Sequence, residues 1–211
     1  MKSSMIKYPD YVKATNAAYE LLLSLKINRL PIDINSVIKK LPDVRLKTYG
    51  EICTQTNMQF NEFITEVGSE YGYLNRRYKK GVCQYIILYN EIKSLETKRF
   101  TIVHELGHII LNHVKDDRIS AQEANSFTRN FLCPIPIAIE KRLFTCTDYV
   151  NTYNISPIAA EVSVAFRRTD FNNITMDNYF NICRLFDTDR KFKYVSELDR
   201  IMGYRVPVIN V

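Results

Sequence analysis

Apolar residues recur at helical spacing in some stretches of the chain and at strand spacing in others. Over Tyr11 to Leu25, Val12, Ala18, Leu21, Leu22 and Leu25 mark a helix, with Asp10 as N-cap after Pro9. Asp33 or Asn35 begins a short helix through Lys40, and Val44 to Tyr49 reads as a strand. Glu51 to Val67 is ambiguous, although Met58, Phe60, Phe63 and Ile64 favour helix over loop. Tyr71 to Tyr78 and Val82 to Tyr89 form a hairpin, the second strand carrying the β-formers Val82, Tyr85, Ile86 and Ile87. Ser94 then caps a helix with Glu96 in its first turn, and Phe100, Ile102, Val103, Leu106, Ile110 and Leu111 make it apolar on most faces. Asp116-Asp117-Arg118 turns the chain into a second helix from about Ile119 to Leu132, ended by Pro134, with Ala124, Phe127 and Phe131 as its apolar stripe.

Beyond Pro136 the pattern changes to short helices. Thr147 to Tyr153, a tight turn at Asn154-Ile155, and a helix from Ser156-Pro157 to Arg168 resemble a helix-turn-helix. The second of these helices offers mainly Ile158, Ala159, Ala160, Val162, Val164 and Ala165, too few donors to address base edges. Packing or partner contact is therefore favoured over direct contact with nucleic acid. A last helix near Ser196 to Met202 precedes an apolar tail. The expected architecture is α+β: a small antiparallel sheet flanking a central helix in residues 1–136, then a helical subdomain in 137–211.

The central helix carries the chemistry. Residues 104–108 read His-Glu-Leu-Gly-His, using two of the chain's three histidines. Four residues advance a helix by roughly 400°, so His104 and His108 project from nearly the same side. Two neutral imidazoles one turn apart can grip one Zn²⁺, and Glu105, about 100° round from His104, can reach a water on that metal. This is the zincin arrangement, in which the Glu is the general base. A buried Glu without a partner is costly, so a cation explains Glu105 better than a plain core does. Gly107 costs about 1 kcal/mol against Ala in a helix interior. Either a strand or substrate approaches the backbone there, or a helix packs tightly.

A catalytic zinc needs a third protein ligand. If the helix ran on, His113 would point about 140° away from His108; it reads as a C-terminal residue favoured by the helix dipole. Glu123 is the better candidate, the one carboxylate on the next helix and at the edge of its core-facing side. A solvated Glu at a helix N-terminus is the alternative, and Asp116 and Asp117 are further candidates.

Lys98-Arg99-Phe100-Thr101 leading into the histidine motif, then Gln122-Glu123-Ala124-Asn125-Ser126-Phe127 ending at Leu132-Cys133-Pro134, resembles the ImmA/IrrE family of metallopeptidases. The strand ending in Leu88-Tyr89-Asn90 is similar to the one that precedes the active helix in that family. The resemblance is strong over about residues 70–136. It implies a zincin-like fold, zinc as cofactor and Glu123 as the third ligand. It also implies a role in relieving repression by cleaving, or promoting loss of, a helix-turn-helix repressor, as members encoded by phages and mobile elements do. Two positions depart from the family pattern: Thr128 replaces a common Ala, and Ser163 replaces the Arg that closes a Val-Ser-x-x-Ala-Ala-x-x-Arg stretch, here Ile155 to Ser163.

Composition narrows the setting. The chain has 211 residues, 46% of them apolar, ordinary for a globular protein with a real core. No apolar leader and no run approaching a membrane span of roughly 20 residues is seen, so a soluble cytoplasmic protein is expected. Five cysteines, at 53, 83, 133, 146 and 183, make no Cys-x-x-Cys pair and fit reduced core thiols. Net charge is +6, with its densest cluster at Arg76, Arg77, Lys79 and Lys80 in the hairpin turn. That cluster reads as a docking patch for an acidic partner, or as a solvated turn that blunts a sheet edge.

The residues together describe a zinc-dependent endopeptidase with His104, His108 and Glu123 on the metal and Glu105 as base. The rival is a regulatory or DNA/protein-binding protein that contains zinc without cleaving anything. Glu105 argues against it, because a purely structural site has no use for a Glu beside its first ligand.

Overall fold

The computed structural model describes residues 8–79, 82–115 and 117–186. The expected helix at 196–202, the apolar tail, Lys80 and Asp116 lie outside them.

Helix α1, Tyr11–Ser24, starts where the Asp10 side chain accepts from the Lys13 amide at 2.9 Å. Helix α2, Ile34–Lys39, is capped by Asp33. Strand β1, Val44–Thr48, runs into helix α3, Tyr49–Thr56, through a capping box between Thr48 and Glu51. Helix α4, Phe60–Val67, follows. The ambiguous stretch is therefore two helices, because Asn57 takes the left-handed conformation at φ 54° and ends the first. Strands β2, Gly72–Lys79, and β3, Val82–Tyr89, form the expected antiparallel hairpin, with Leu74 opposite Ile87.

The sheet order is β1-β3-β2, and β1 pairs with β3 in parallel, Val44 opposite Tyr85. The sheet is thus mixed. Helices α3 and α4 and strand β2 make up the long crossover that a parallel pair requires. Pleating sends Leu74 and Ile87 into the main core, while Leu88 joins Tyr49, Cys53 and Phe63 in a second cluster on the opposite face.

The remaining helices are α5, Leu95–Ile110; α6, Arg118–Leu132; α7, Ile135–Glu140; α8, Cys146–Tyr153; α9, Pro157–Asn173; and α10, Met176–Phe186. One core joins Leu22, Val103, Leu106, Phe127 and Phe131 to Tyr149, Tyr153 and Tyr179. Its contributors lie on both sides of position 136. Arg99 of α5 reinforces that union by donating to the carbonyls of Ile32 at 2.7 Å, Tyr153 at 3.3 Å and Asn154 at 3.2 Å. Thr128 and Ser163 are buried and each donates at 2.7 Å to the carbonyl four residues earlier, so both departures from the family pattern are hydroxyls satisfied within their own helices. Among the described residues no helix is long and apolar enough to cross a membrane.

Candidate metal and catalytic site

Helix α5 begins as its sequence dictates, with the Ser94 hydroxyl accepting from the Thr97 amide at 3.2 Å. It carries His104, Glu105 and His108 across the middle of the fold. His104 and Glu105 are half-buried and His108 is buried. The two histidines turn their Nε2 atoms toward each other, 3.1 Å apart. Two Nε2 ligands of one tetrahedral zinc, each at about 2.0–2.1 Å, stand roughly 3.3 Å apart. The imidazole pair therefore fits such an ion almost without rearrangement. Burial, reinforced by the neighbouring His104 and His113, pushes the His108 pKa down to about 3, so the ring is held neutral, the form in which imidazole binds metals.

Glu105 sits where β2 meets α5. Gly72 makes that approach possible: a Cβ there would overlap the Thr101 side chain and stand 3.8 Å from Glu105 Cγ. On the other side of α5, Gly107 faces α6, and a Cβ would come within 3.0 Å of Phe127 Cδ1 and 3.4 Å of the Ala124 backbone. Of the two readings of Gly107, tight helix packing is the one observed. It draws α6, and with it Glu123, against α5.

Glu123 is buried, unlike a solvated N-terminal Glu. Its Oε1 accepts from the Asp10 amide at 2.8 Å, and its Oε2 lies 2.8 Å from His113 Nε2. His113 Nδ1 in turn lies 3.0 Å from His108 Nδ1. The structure thus brings His104 and His108 together and connects Glu123 to them through His113. Among the described residues no group of three His, Cys, Asp or Glu closes on a single point. Asp117 caps α6, accepting from the Ser120 amide at 2.9 Å.

His113 does not occupy the position expected of a residue on a continuing helix. Helix α5 stops at Ile110, Asn112 is left-handed at φ 57°, and the His113 amide donates to the His108 carbonyl at 3.0 Å. The chain reverses, and the ring returns to the site instead of pointing away. The one sequence signal for this was Asn112, a residue type that tolerates the left-handed conformation.

A cleft of about 980 Å³ runs over His104, Glu105 and His108. The edge strand β2 supplies Gly72 and Tyr73 to one wall; α5 supplies His104, Glu105 and His108; α9 supplies Val162 and Phe166. A second cavity of about 500 Å³ lies on the opposite face of the sheet, bounded by Lys47, Phe63, Arg77 and Ile86, and contains none of the site residues. Arg76 and Arg77 of the basic cluster are divided between the two. Successive strand residues face opposite ways, so Arg76 enters the cleft over α5 and donates to the His113 carbonyl at 2.6 Å, while Arg77 faces the other cavity. Lys79 ends β2 opposite Val82.

Residues 57–165, just over half the chain, match the family model Peptidase_M78, described as an IrrE N-terminal-like domain. The match spans the hairpin, α5, α6 and the first half of α9. No curated protein matches the chain.

Proposed function

We propose that this chain, which belongs to the Peptidase_M78 family of IrrE N-terminal-like domains, is a zinc-dependent endopeptidase that cuts a helix-turn-helix repressor. The family makes it a metallopeptidase; the metal's identity, the activity and the substrate are our reading. The observation that carries it is the convergence of the two Nε2 atoms at 3.1 Å beside Glu105, in a cleft bordered by a strand edge that is unpaired among the described residues.

His104 and His108 supply two metal donors, and Glu123 is assigned as the third. To serve, Glu123 exchanges the Asp10 amide on Oε1 for the metal and keeps His113 on Oε2. When bound, zinc supplies Lewis acidity, bringing the pKa of water at the site to about 7 and polarising the scissile carbonyl. Glu105 takes the proton of the attacking water and delivers it to the leaving amine. The free edge of β2 pairs with an extended stretch of substrate and lays it along α5, the β-addition mode of peptide capture. Such a cleft demands an extended segment, which a linker between two folded parts of a repressor provides. Arg77, Lys79 and Lys80 remain assigned to docking an acidic partner surface, Arg76 being engaged at the cleft.

The test is incubation of the purified protein with a candidate helix-turn-helix repressor, with and without a chelator. Two fragments, suppressed by the chelator, are expected. An intact repressor under loading conditions that give zinc occupancy refutes the endopeptidase reading and favours a regulator that binds without cutting.

A further inference from the structure

His113 is the third of the chain's three histidines, and the reaction as described gives it no part. Its side chain is only 8% exposed. Its ring bridges two helices, with Nδ1 at 3.0 Å from His108 Nδ1 on α5 and Nε2 at 2.8 Å from Glu123 Oε2 on α6. The directions of these bonds follow from the carboxylate end. An ionised carboxylate only accepts, so His113 Nε2 carries the hydrogen. With the ring in its neutral form it has one N–H, and His113 Nδ1 is then the acceptor. The hydrogen between the two Nδ1 atoms then belongs to His108. That leaves the lone pair of His108 on Nε2, the atom 3.1 Å from His104 Nε2.

We propose that His113 is a positioning residue: anchored by Glu123, it holds His108 in the Nδ1–H tautomer and so presents the His108 Nε2 lone pair to the metal. Histidine ligands generally donate their second N–H to a carboxylate, a carbonyl or a water, which fixes both tautomer and ring orientation. Here a second imidazole takes that place and passes the bond on to the carboxylate. An imidazole suits the position because it accepts on one side and donates on the other. The use of this arrangement rests on the metallopeptidase reading, but the tautomer itself is set in the metal-free protein.

The experiment is a long-range ¹H–¹⁵N correlation on metal-free, ¹⁵N-labelled protein at about pH 8, where unperturbed histidines are neutral. Three imidazoles make the spectrum assignable. Wild type, His113→Ala and His113→Gln are compared, and zinc affinity is read for each by competition with a chromophoric chelator. Gln can accept from His108 and donate to Glu123 as His does. The expected result is Nδ1–H for His108 in wild type and in His113→Gln. In His113→Ala the population shifts toward Nε2–H, and zinc affinity falls by about 10–100-fold, the usual cost of losing such a partner. An Nε2–H form of His108 in the wild type overturns the proposal even if the alanine variant does not fold. An unchanged tautomer in a folded His113→Ala protein overturns it as well. Wild-type protein that shows the Nδ1–H tautomer but takes up no zinc upholds the positioning role and sinks the metallopeptidase reading instead, so the two failures are separable.

Discussion

Gly72 of the edge strand lies directly against Glu105 of the active helix: a Cβ placed on it would stand 3.8 Å from Glu105 Cγ and would overlap the Thr101 side chain. The same Cβ would meet the Leu88 carbonyl at 3.0 Å, so the strand cannot simply tilt away. The absence of a side chain at this position sets how close β2 comes to Glu105.

Gly72→Ala should therefore lift β2 from α5 and misplace the substrate relative to Glu105. Overpacking of this kind costs about 1–3 kcal/mol of stability, and a displacement of about 1 Å at a reacting centre can cost roughly a hundredfold in rate. Denaturant unfolding and kcat/KM on a peptide substrate are the measurements. Wild-type kcat/KM in the alanine variant would show that the strand edge does not guide the substrate.

The wall of the cleft formed by α9 is tied to α6 by a buried ion pair. Arg129 donates from Nε to Asp170 Oδ2 at 2.6 Å and from Nη2 to Oδ1 at 2.7 Å, and the two side chains are 11% and 1% exposed. Asp170→Ala leaves the guanidinium without its counter-charge and should cost about 3–5 kcal/mol. Asp170→Ala combined with Arg129→Met should recover much of that loss, because an apolar pair carries no desolvation penalty. Urea unfolding of the three proteins decides it; a single-variant loss under about 1 kcal/mol would mean that the pair is not what holds α9 in place.

Tyr149 is fully buried, and its hydroxyl has no hydrogen-bond partner among the described residues. Removing it with Tyr149→Phe should stabilise the protein by about 1 kcal/mol, the lower end of the cost of an unsatisfied buried polar group. Burial also raises the phenol pKa from its ordinary 10 to about 12. The unfolded chain thus ionises first. The contribution of the neutral phenol is complete below about pH 10 and is lost as pH rises toward 12. Between those values wild type should lose stability with pH more steeply than Tyr149→Phe. Parallel pH profiles for the two proteins would contradict the assignment.

Much of this architecture is legible in the residues. The helix bearing His104 and His108 follows from its cap and its apolar surround, and the second hairpin strand follows from the β-formers of Val82 to Tyr89. The single carboxylate of α6, Glu123, is correctly read as lying on a buried face. What escapes the sequence depends on where the chain changes direction. A helix that continues would carry His113 away from His108, whereas Asn112 reverses the chain and returns the ring to the site. Arg76 and Arg77 look like one patch in a linear reading, yet pleating places them on opposite faces of the sheet. The parallel pairing of β1 with β3 is a long-range contact for which the local pattern of Val44 to Thr48 carries no signal.

The central claim is that Glu105 does the chemistry on a metal held by its neighbours, and Glu105→Gln tests it most directly. Glutamine keeps the size of the side chain and removes the base. Zinc should remain bound, since Glu105 is not assigned as a ligand, while cleavage should slow by about 10²–10⁴-fold. The variant should capture the repressor and hold it uncut, where the wild type yields two fragments by mass spectrometry. If Glu105→Gln and wild type relieve repression equally and neither cuts the repressor, the endopeptidase account is contradicted.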